Sequence, residues 1–481
     1  MGRKGRLLDV SIIALAIAIR VAAVLVLRNH EVARSTYEHG EIAANLLAGR
    51  GFSIRFLGAD GPTSQQAPIY PLVVAAAYAI GGVETPRALL LLELGQSVLG
   101  GLLVWGVMRL ARRVMPEFPA IAAAAGSIAA VHPTLVYAAT HVQVAGLGAT
   151  LLVWTLDWAY RTGAGERPSH AAITGGFLAL LALTDPILSL EMIGIAWVFW
   201  QGGPGRASGR RCFVSLTSMT MAVGLLGISP WLLRNYQVHG EFVAIKSTFG
   251  YAFWQGNCAL SEGTDKVRRA SVERTLRRGP NTLNLSGLNQ VLWEARHEAG
   301  YIDDIALPRA DKLRLGRESE PGRSRILFRR ALSELAADPW RYPLLCLRRV
   351  QYFVLFDETN PKSRPMVYRV PHIGLTLLAI GGLVLAGPAL RRRLMPTIVT
   401  AAAIAIFHTL TIVSARFHIP IEPLMAIWGA AGLWRWTTGQ ARRAGSAPAP
   451  HHVERIRVES GLGVVQVGGR GGIDPLLRPG L

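Results

Sequence analysis

Residues 7–28, LLDVSIIALAIAIRVAAVLVLR, follow Arg3, Lys4 and Arg6, and the reading of this run decides the fold. A charged start before an apolar middle is shared by cleavable signal peptides and by first membrane helices that are retained. The run is long for a cleaved segment, and no small-x-small site follows before Arg28, Asn29 and His30, so it reads as a retained helix. Crossing a bilayer takes about 20 mostly apolar residues. Further apolar runs fall at 86–109, 117–132, 135–158, 170–184, 187–201, 212–232, 372–390, 396–413 and 418–437, which predicts about ten spanning helices. Asp185-Pro186 interrupts one pair of runs, leaving two short spans or one kinked region, since proline removes a backbone donor.

Composition points the same way. Of 481 residues, 51% are hydrophobic and 17% charged, and the mean hydropathy is +0.31, more apolar surface than one water-soluble core would bury. The net charge of +20 is explained by cations kept on cytoplasmic loops and drawn to anionic headgroups. No zinc-finger spacing or basic-aromatic array is present, so no nucleic-acid partner is expected. Under the ten-helix reading, Arg3/Lys4/Arg6, Arg109/Arg112/Arg113, Arg161/Arg167, Arg206/Arg210/Arg211, Arg391/Arg392/Arg393 and Arg442/Arg443 all fall on one face, which places both termini in the cytoplasm.

The expected fold is an all-α polytopic membrane protein with interfacial helices and a mainly helical outer domain. Its parts are a first span (1–28), a first outer loop (29–85), a bundle (86–232), a large outer segment (233–371), C-terminal spans (372–437) and a mobile cytoplasmic tail (438–481). No internal repeat of the kind common in transporters is found. Asp338-Pro339 reads as the N-cap and first residue of an interfacial helix ending near Phe356. Three cysteines are too few for a disulfide framework and lack metal-ligand spacing; Cys258 and Cys346 share the outer compartment, which leaves a disulfide between them open.

Candidate chemistry lies on the outer side. In STYEHGEIAANLLAGRGFS, residues 35–53, helical spacing sets Glu38, Glu41 and Asn45 on one face and Ala43 and Leu47 opposite. Glu38 has two readings. It completes a capping box with Ser35, or it serves as general base on an acceptor hydroxyl or as a ligand to a metal. Glu41 is the reserve carboxylate, and His39 reads as packing or capping. Arg416 and His418 stand in a short outer turn, where the charge bias disfavours arginine, so Arg416 anchors to headgroups or clamps a phosphate. Arg234, at the outer end of a helix, carries the same two readings. Lys246 is a further phosphate candidate beside its reading as a solvated lysine. Gln65 and Gln66, between Pro62 and Pro68, form a surface turn or contact sugar hydroxyls. GRGGIDP, residues 469–475, is no P-loop, and neither a zincin motif nor a GxSxG elbow occurs. The pattern requires no cofactor; a divalent cation stays open.

Five phrases carry a family resemblance: YEHGEIAANLLAGRGFS (37–53), GPTSQQAPIYPLVVAAAYAIGG (61–82), HPTLVY (132–137), SPWLLRNYQVHGEFVAIKSTFGYAFWQGN (229–257) and SARFHIPIEPLMAIWGAAGL (414–433). In order and spacing they resemble glycosyltransferase family 39-like proteins of the GT-C superfamily, relatives of the protein O-mannosyltransferases and the lipid A aminoarabinose transferase. The resemblance implies a polyprenyl-phosphate sugar donor, transfer with inversion on the outer face of the cell membrane, and a catalytic acid in the first outer loop. It also implies an outer cavity lined near Tyr37, Tyr251, Trp254 and Asn257, beside the reading of Trp254 as core packing of the outer domain. Many relatives carry aspartate where this chain has Ser35 and Tyr37, which makes Glu38 the nearest acid. A second position often acidic in relatives reads Gln143-Val144, and no role passes to it. The acceptor, whether lipid, glycan or protein, is not specified. A flippase for polyprenyl-linked lipid and a relative without activity are the alternatives.

Overall fold

The computed structural model describes residues 3–165, 169–202, 210–280 and 284–443. Residues 444–481 of the expected tail, with the 469–475 stretch, Arg167 and Arg206, lie outside them, while 438–443 continue the Glu422–Arg443 helix.

A helix occupies every apolar run. Among the described residues, five helices are long and apolar enough to cross a membrane: Arg3–Leu27, Pro86–Val114, Arg210–His239, Met366–Leu385 and Pro388–Leu410. The expected count of ten is not confirmed by these lengths. Pro119–Val131, Ser169–Ala182 and Met192–Gln201 have 13, 14 and 10 residues, short of the roughly 20 a span requires. The Asp185-Pro186 break separates two helices. The Asp185 carboxylate accepts the Ile187 amide and starts a short 3-10 turn, Pro186–Glu191.

The run at 135–158 is not one helix. A short helix, Pro133–Tyr137, is followed by a loop, and Ala145–Gly163 begins beyond it. Local hydropathy cannot show this loop, because side chains far away in sequence hold it. Gln96 donates to the carbonyls of Ala139 and His141, and the Tyr70 hydroxyl accepts from the Gln143 amide.

The long helices have legible ends. Thr85 caps the Ala88 amide ahead of Pro86, and Arg112 and Arg113 close the last turn where the helix dipole favours cations. Arg20, buried midway along the first helix, donates to the carbonyls of Ala129 and Ala130, which end the Pro119–Val131 helix. Only glycine at position 100 leaves room for that side chain. The largest apolar core joins Ile12, Val107, Leu152, Ile404 and Ile427.

At one end of the bundle the cations of separate helices meet acids. Arg112 pairs with Asp9, Arg109 and Arg113 both reach Asp157, and Arg393 pairs with Glu117.

The structure adds one local element and corrects one expectation. The first outer loop contains a β-hairpin, Ser53–Phe56 with Ala59–Pro62, turned by Leu57 and Gly58 at φ 47° and 85°, the paired left-handed residues of a tight hairpin. Asp338 does not cap a following helix. It ends Glu320–Ala337, and Arg341–Val354 starts after Trp340. In that helix Arg349 is buried on the Thr409 carbonyl and the Asn257 side chain. Cys212, Cys258 and Cys346 are all free.

Candidate active site

Segments distant in sequence enclose a cavity of ≈ 950 Å³, its open mouth included. Tyr37 enters from the first outer loop, His141 and Gln143 from the pinned loop, and Asp265 and Lys266 from the large outer segment. Trp293, Arg296 and Tyr301 follow, then Asp357 and Lys362, and finally Arg416 and His418 from the last turn. Four cationic side chains face two carboxylates, which suits an anionic guest.

Each wall is positioned by identifiable bonds. Asn29, in a 3-10 turn after the first helix, accepts from the Trp293 indole at 2.5 Å and from Asn289, and donates to Thr140. Trp293 therefore stands fixed, with the Lys362 ammonium on its face. Arg296 lies over the rings of Tyr37 and Tyr301. The Asp265 segment is tied to the last turn, since the Val413 amide donates to the Gly263 carbonyl and Thr264 bridges to Val413. Lys266 and Arg416 are thus held in one frame.

Burial shapes the charges. Burial, assisted by Arg296, pulls the Lys266 ammonium down to about 8 despite an ion pair of 2.8 Å with Asp265. Burial also lifts Asp357 to about 6, although Thr359 donates to it twice; its other oxygen has no hydrogen-bond partner. Lys362 is held well below its usual value by burial and then by Arg296 and Lys266. A carboxyl near 6 and an ammonium near 8 both change charge close to neutral pH, a property frequent at reactive sites.

The candidates read from sequence are distributed unevenly. Arg416 and His418 line the cavity, and the Arg416 guanidinium has no hydrogen bond or ion pair among the described residues. Tyr37 lines it as well, with φ 49°, a left-handed conformation costly for a bulky side chain. The capping box is not formed. The helix starts at Tyr37 after Thr36 without a side-chain cap, so Ser35 and Glu38 do not exchange bonds. Glu38 follows Tyr37 but is not among the lining residues; its charge bears on Tyr37 and Tyr301, as does that of Arg416.

Glu41 is occupied by the Arg55 amide of the hairpin. Asn45, expected on the polar face, is buried on the Ser53 carbonyl, whereas Leu47 is exposed. His39 packs edge-on against Tyr70, and burial drives it down to about 3.

Others stand away from the cavity lining. Arg234 is committed to the carbonyls of Thr63 and Phe52 and lies against Trp231. Lys246 donates to Gln66, and burial lowers its pKa, so it is not the solvated lysine of the alternative reading. Gln65 is buried rather than set in a surface turn. Tyr251 donates to Asp303, Trp254 is buried in an apolar cluster, and Asn257 bonds the Thr411 carbonyl and Arg349.

Sequence reasoning missed Asp265, Lys266, Trp293, Arg296, Tyr301, Asp357 and Lys362. It also set aside Gln143, which lines the cavity. The only signal was a shared one: most of these residues lie in a long segment rich in arginine, where no single charge stands out.

No family model matches the sequence, and no curated protein matches it. Among solved structures, the archaeal oligosaccharyltransferase AglB from Archaeoglobus fulgidus, in complex with an inhibitory peptide and a dolichol-phosphate, is similar at TM-score 0.50 and 14% identity. The match covers 91% of this chain and 51% of that one. The apo form of the Archaeoglobus fulgidus oligosaccharyltransferase gives 0.50 and 15%, with 92% and 52% covered. ArnT from Cupriavidus metallidurans, bound to undecaprenyl phosphate, gives 0.36 and 14%, with 94% and 82% covered. The chain spans about half the length of the oligosaccharyltransferases it resembles. The likeness shows the fold: this chain, with its long apolar helices, shares the helical architecture of the Archaeoglobus fulgidus oligosaccharyltransferase.

Proposed function

We propose that the chain transfers a sugar from a polyprenyl-phosphate-linked donor to an acceptor on the non-cytoplasmic face of the cell membrane, with inversion. The observation that carries this reading is Arg416, a guanidinium without a hydrogen-bonding or ionic partner among the described residues, on the wall of a cavity shared with Lys266, Arg296 and Lys362. A phosphate takes paired hydrogen bonds from a guanidinium, and the neighbouring cations stabilise the charge that grows on the leaving phosphate. The binding of dolichol-phosphate by the similar oligosaccharyltransferase supports a lipid-linked donor.

Direct displacement needs a base on the acceptor hydroxyl. Glu38 at the head of the first loop helix is the candidate the sequence pattern favours. Asp357, inside the cavity with one oxygen free of partners, is the carboxylate the geometry adds. Either takes the hydroxyl proton as oxygen attacks the anomeric carbon and the sugar–phosphate bond breaks, leaving the electron pair on the polyprenyl phosphate.

The test is incubation of purified protein with polyprenyl phosphate carrying a labelled sugar, over a panel of lipid, glycan and peptide acceptors. Release of free polyprenyl phosphate with label on an acceptor is expected. Donor that only moves between leaflets intact identifies a flippase, and donor that binds without turnover over the whole panel identifies an inactive relative. Arg416→Ala should weaken donor binding by about 10- to 150-fold, the effect of about 1.5–3 kcal/mol for a hydrogen bond to a charged group.

A further inference from the structure

Glu422 opens the Glu422–Arg443 helix with its side chain fully buried, and three buried histidines from other parts of the chain surround its carboxylate. His132 lies between the Pro119–Val131 and Pro133–Tyr137 helices, His372 on Met366–Leu385, and His418 in the last turn. Oε1 is 3.2 Å from His372 Nδ1 and 3.0 Å from His418 Nδ1, and Oε2 is 3.6 Å from His132 Nε2. The sequence does not gather this set: His418 and Glu422 stand four residues apart, but His132 and His372 come from distant parts of the chain.

The orientation of His372 is informative. Its Nε2 lies 3.0 Å from the Val354 carbonyl, which can only accept, so that nitrogen carries a proton. In the neutral ring Nδ1 then presents a lone pair to a carboxylate oxygen. The two repel unless a cation lies between them, either a second proton or a metal ion. A second proton on His372 serves Oε1 alone. It leaves His132 Nε2 and Glu422 Oε2, both buried, facing each other without a hydrogen bond. A single ion serves all three donors.

The spacing fits. Nitrogen and oxygen ligands at about 2.0–2.1 Å from a tetrahedral ion are about 3.3 Å apart. His372 Nδ1 and His132 Nε2 lie 3.2 and 3.6 Å from the two separate oxygens of Glu422, either side of that value, and one ligand atom from each of the three residues lies within 4.8 Å of the others, so small side-chain rotations close the set onto one ion. The far N–H of His372 on a backbone carbonyl is also how metal-bound imidazoles are oriented. We propose that His132, His372 and Glu422 bind one divalent transition-metal ion of the zinc class, with His418 donating to the ligand carboxylate and fixing its rotation. Such an ion fastens the turn that carries Arg416 to the Met366–Leu385 helix and to the chain leading into the pinned loop. The proposal does not depend on the transferase reading.

Full-length protein, stripped with a chelator and titrated with Zn²⁺ alone, tests it by calorimetry and elemental analysis. One tight equivalent per chain is expected, together with a rise in Tm. X-ray absorption on the reloaded wild-type protein should show only nitrogen and oxygen neighbours, at about 2.0–2.1 Å. His132→Gln and His372→Gln should each weaken zinc at least about 100-fold and His418→Gln about 10- to 100-fold, whereas His297→Gln should bind as the wild type does. Absence of a stoichiometric zinc on the wild-type protein, sulfur in its first shell, or equal binding by His132→Gln and His372→Gln overturns the proposal. The wild-type measurements decide the matter even where a variant fails to fold.

Discussion

Asp357 and Lys266 share a cavity but respond to pH in opposite senses. Asp357, raised to about 6 by burial, is neutral below that value and cannot take a proton from an acceptor. Lys266, lowered to about 8 by burial, loses its charge above that value and with it part of the attraction for phosphate. The expected kcat/KM profile of the free protein is a bell, rising through about 6 and falling through about 8. Asp357→Asn should remove the acidic limb while Lys266→Arg shifts the basic limb upward; a flat profile from pH 5 to 9 would refute both assignments. Glu38→Gln discriminates at the same scale. If Glu38 is the base, transfer is lost by about 10²–10⁴ with donor binding retained, and near-normal transfer by that variant passes the role to Asp357.

Among the elements, the 3-10 turn Asn29–Glu31 has an influence beyond its three residues. Asn29 satisfies the Trp293 indole and the Asn289 amide, and bonds Thr140 within the pinned loop. Asn29→Ala leaves buried donors unpaired and should cost about 1–3 kcal/mol of stability, read as a lower Tm with faster solvent quenching of tryptophan fluorescence. Helix positions were legible in sequence because apolar runs mark buried or lipid-facing stretches over any window of a dozen residues. The 138–144 loop was not, since Gln96 and Tyr70 hold it from elsewhere. Arg416 was legible for a related reason: an arginine in a short outer turn contrasts with its surroundings. Arg296 and Lys362 had no such contrast within a segment dense in cations, and only tertiary packing brings them beside Trp293.

For the whole molecule, the ion pairs of Asp9, Asp157 and Glu117 gather at one end of the helices. In the orientation we propose from the positive-inside bias, that end faces the cytoplasm and the cavity the opposite side. With the native cysteines replaced by serine, Glu298→Cys and Arg392→Cys, both at exposed positions, should react with a membrane-impermeant maleimide from opposite sides of sealed vesicles. Labelling of both from one side would end the proposed orientation.

The tie between Gly263 and Val413 bears on biosynthesis. Chain elongation delivers Lys266, Arg296 and Lys362 long before the turn that completes the enclosure, so a ribosome-bound intermediate stalled ahead of Val413 has its cations assembled without their final strap. Catalytic competence should therefore arrive late and abruptly during translation, and a protein split between the Met366–Leu385 and Pro388–Leu410 helices should regain activity only when both fragments are co-expressed.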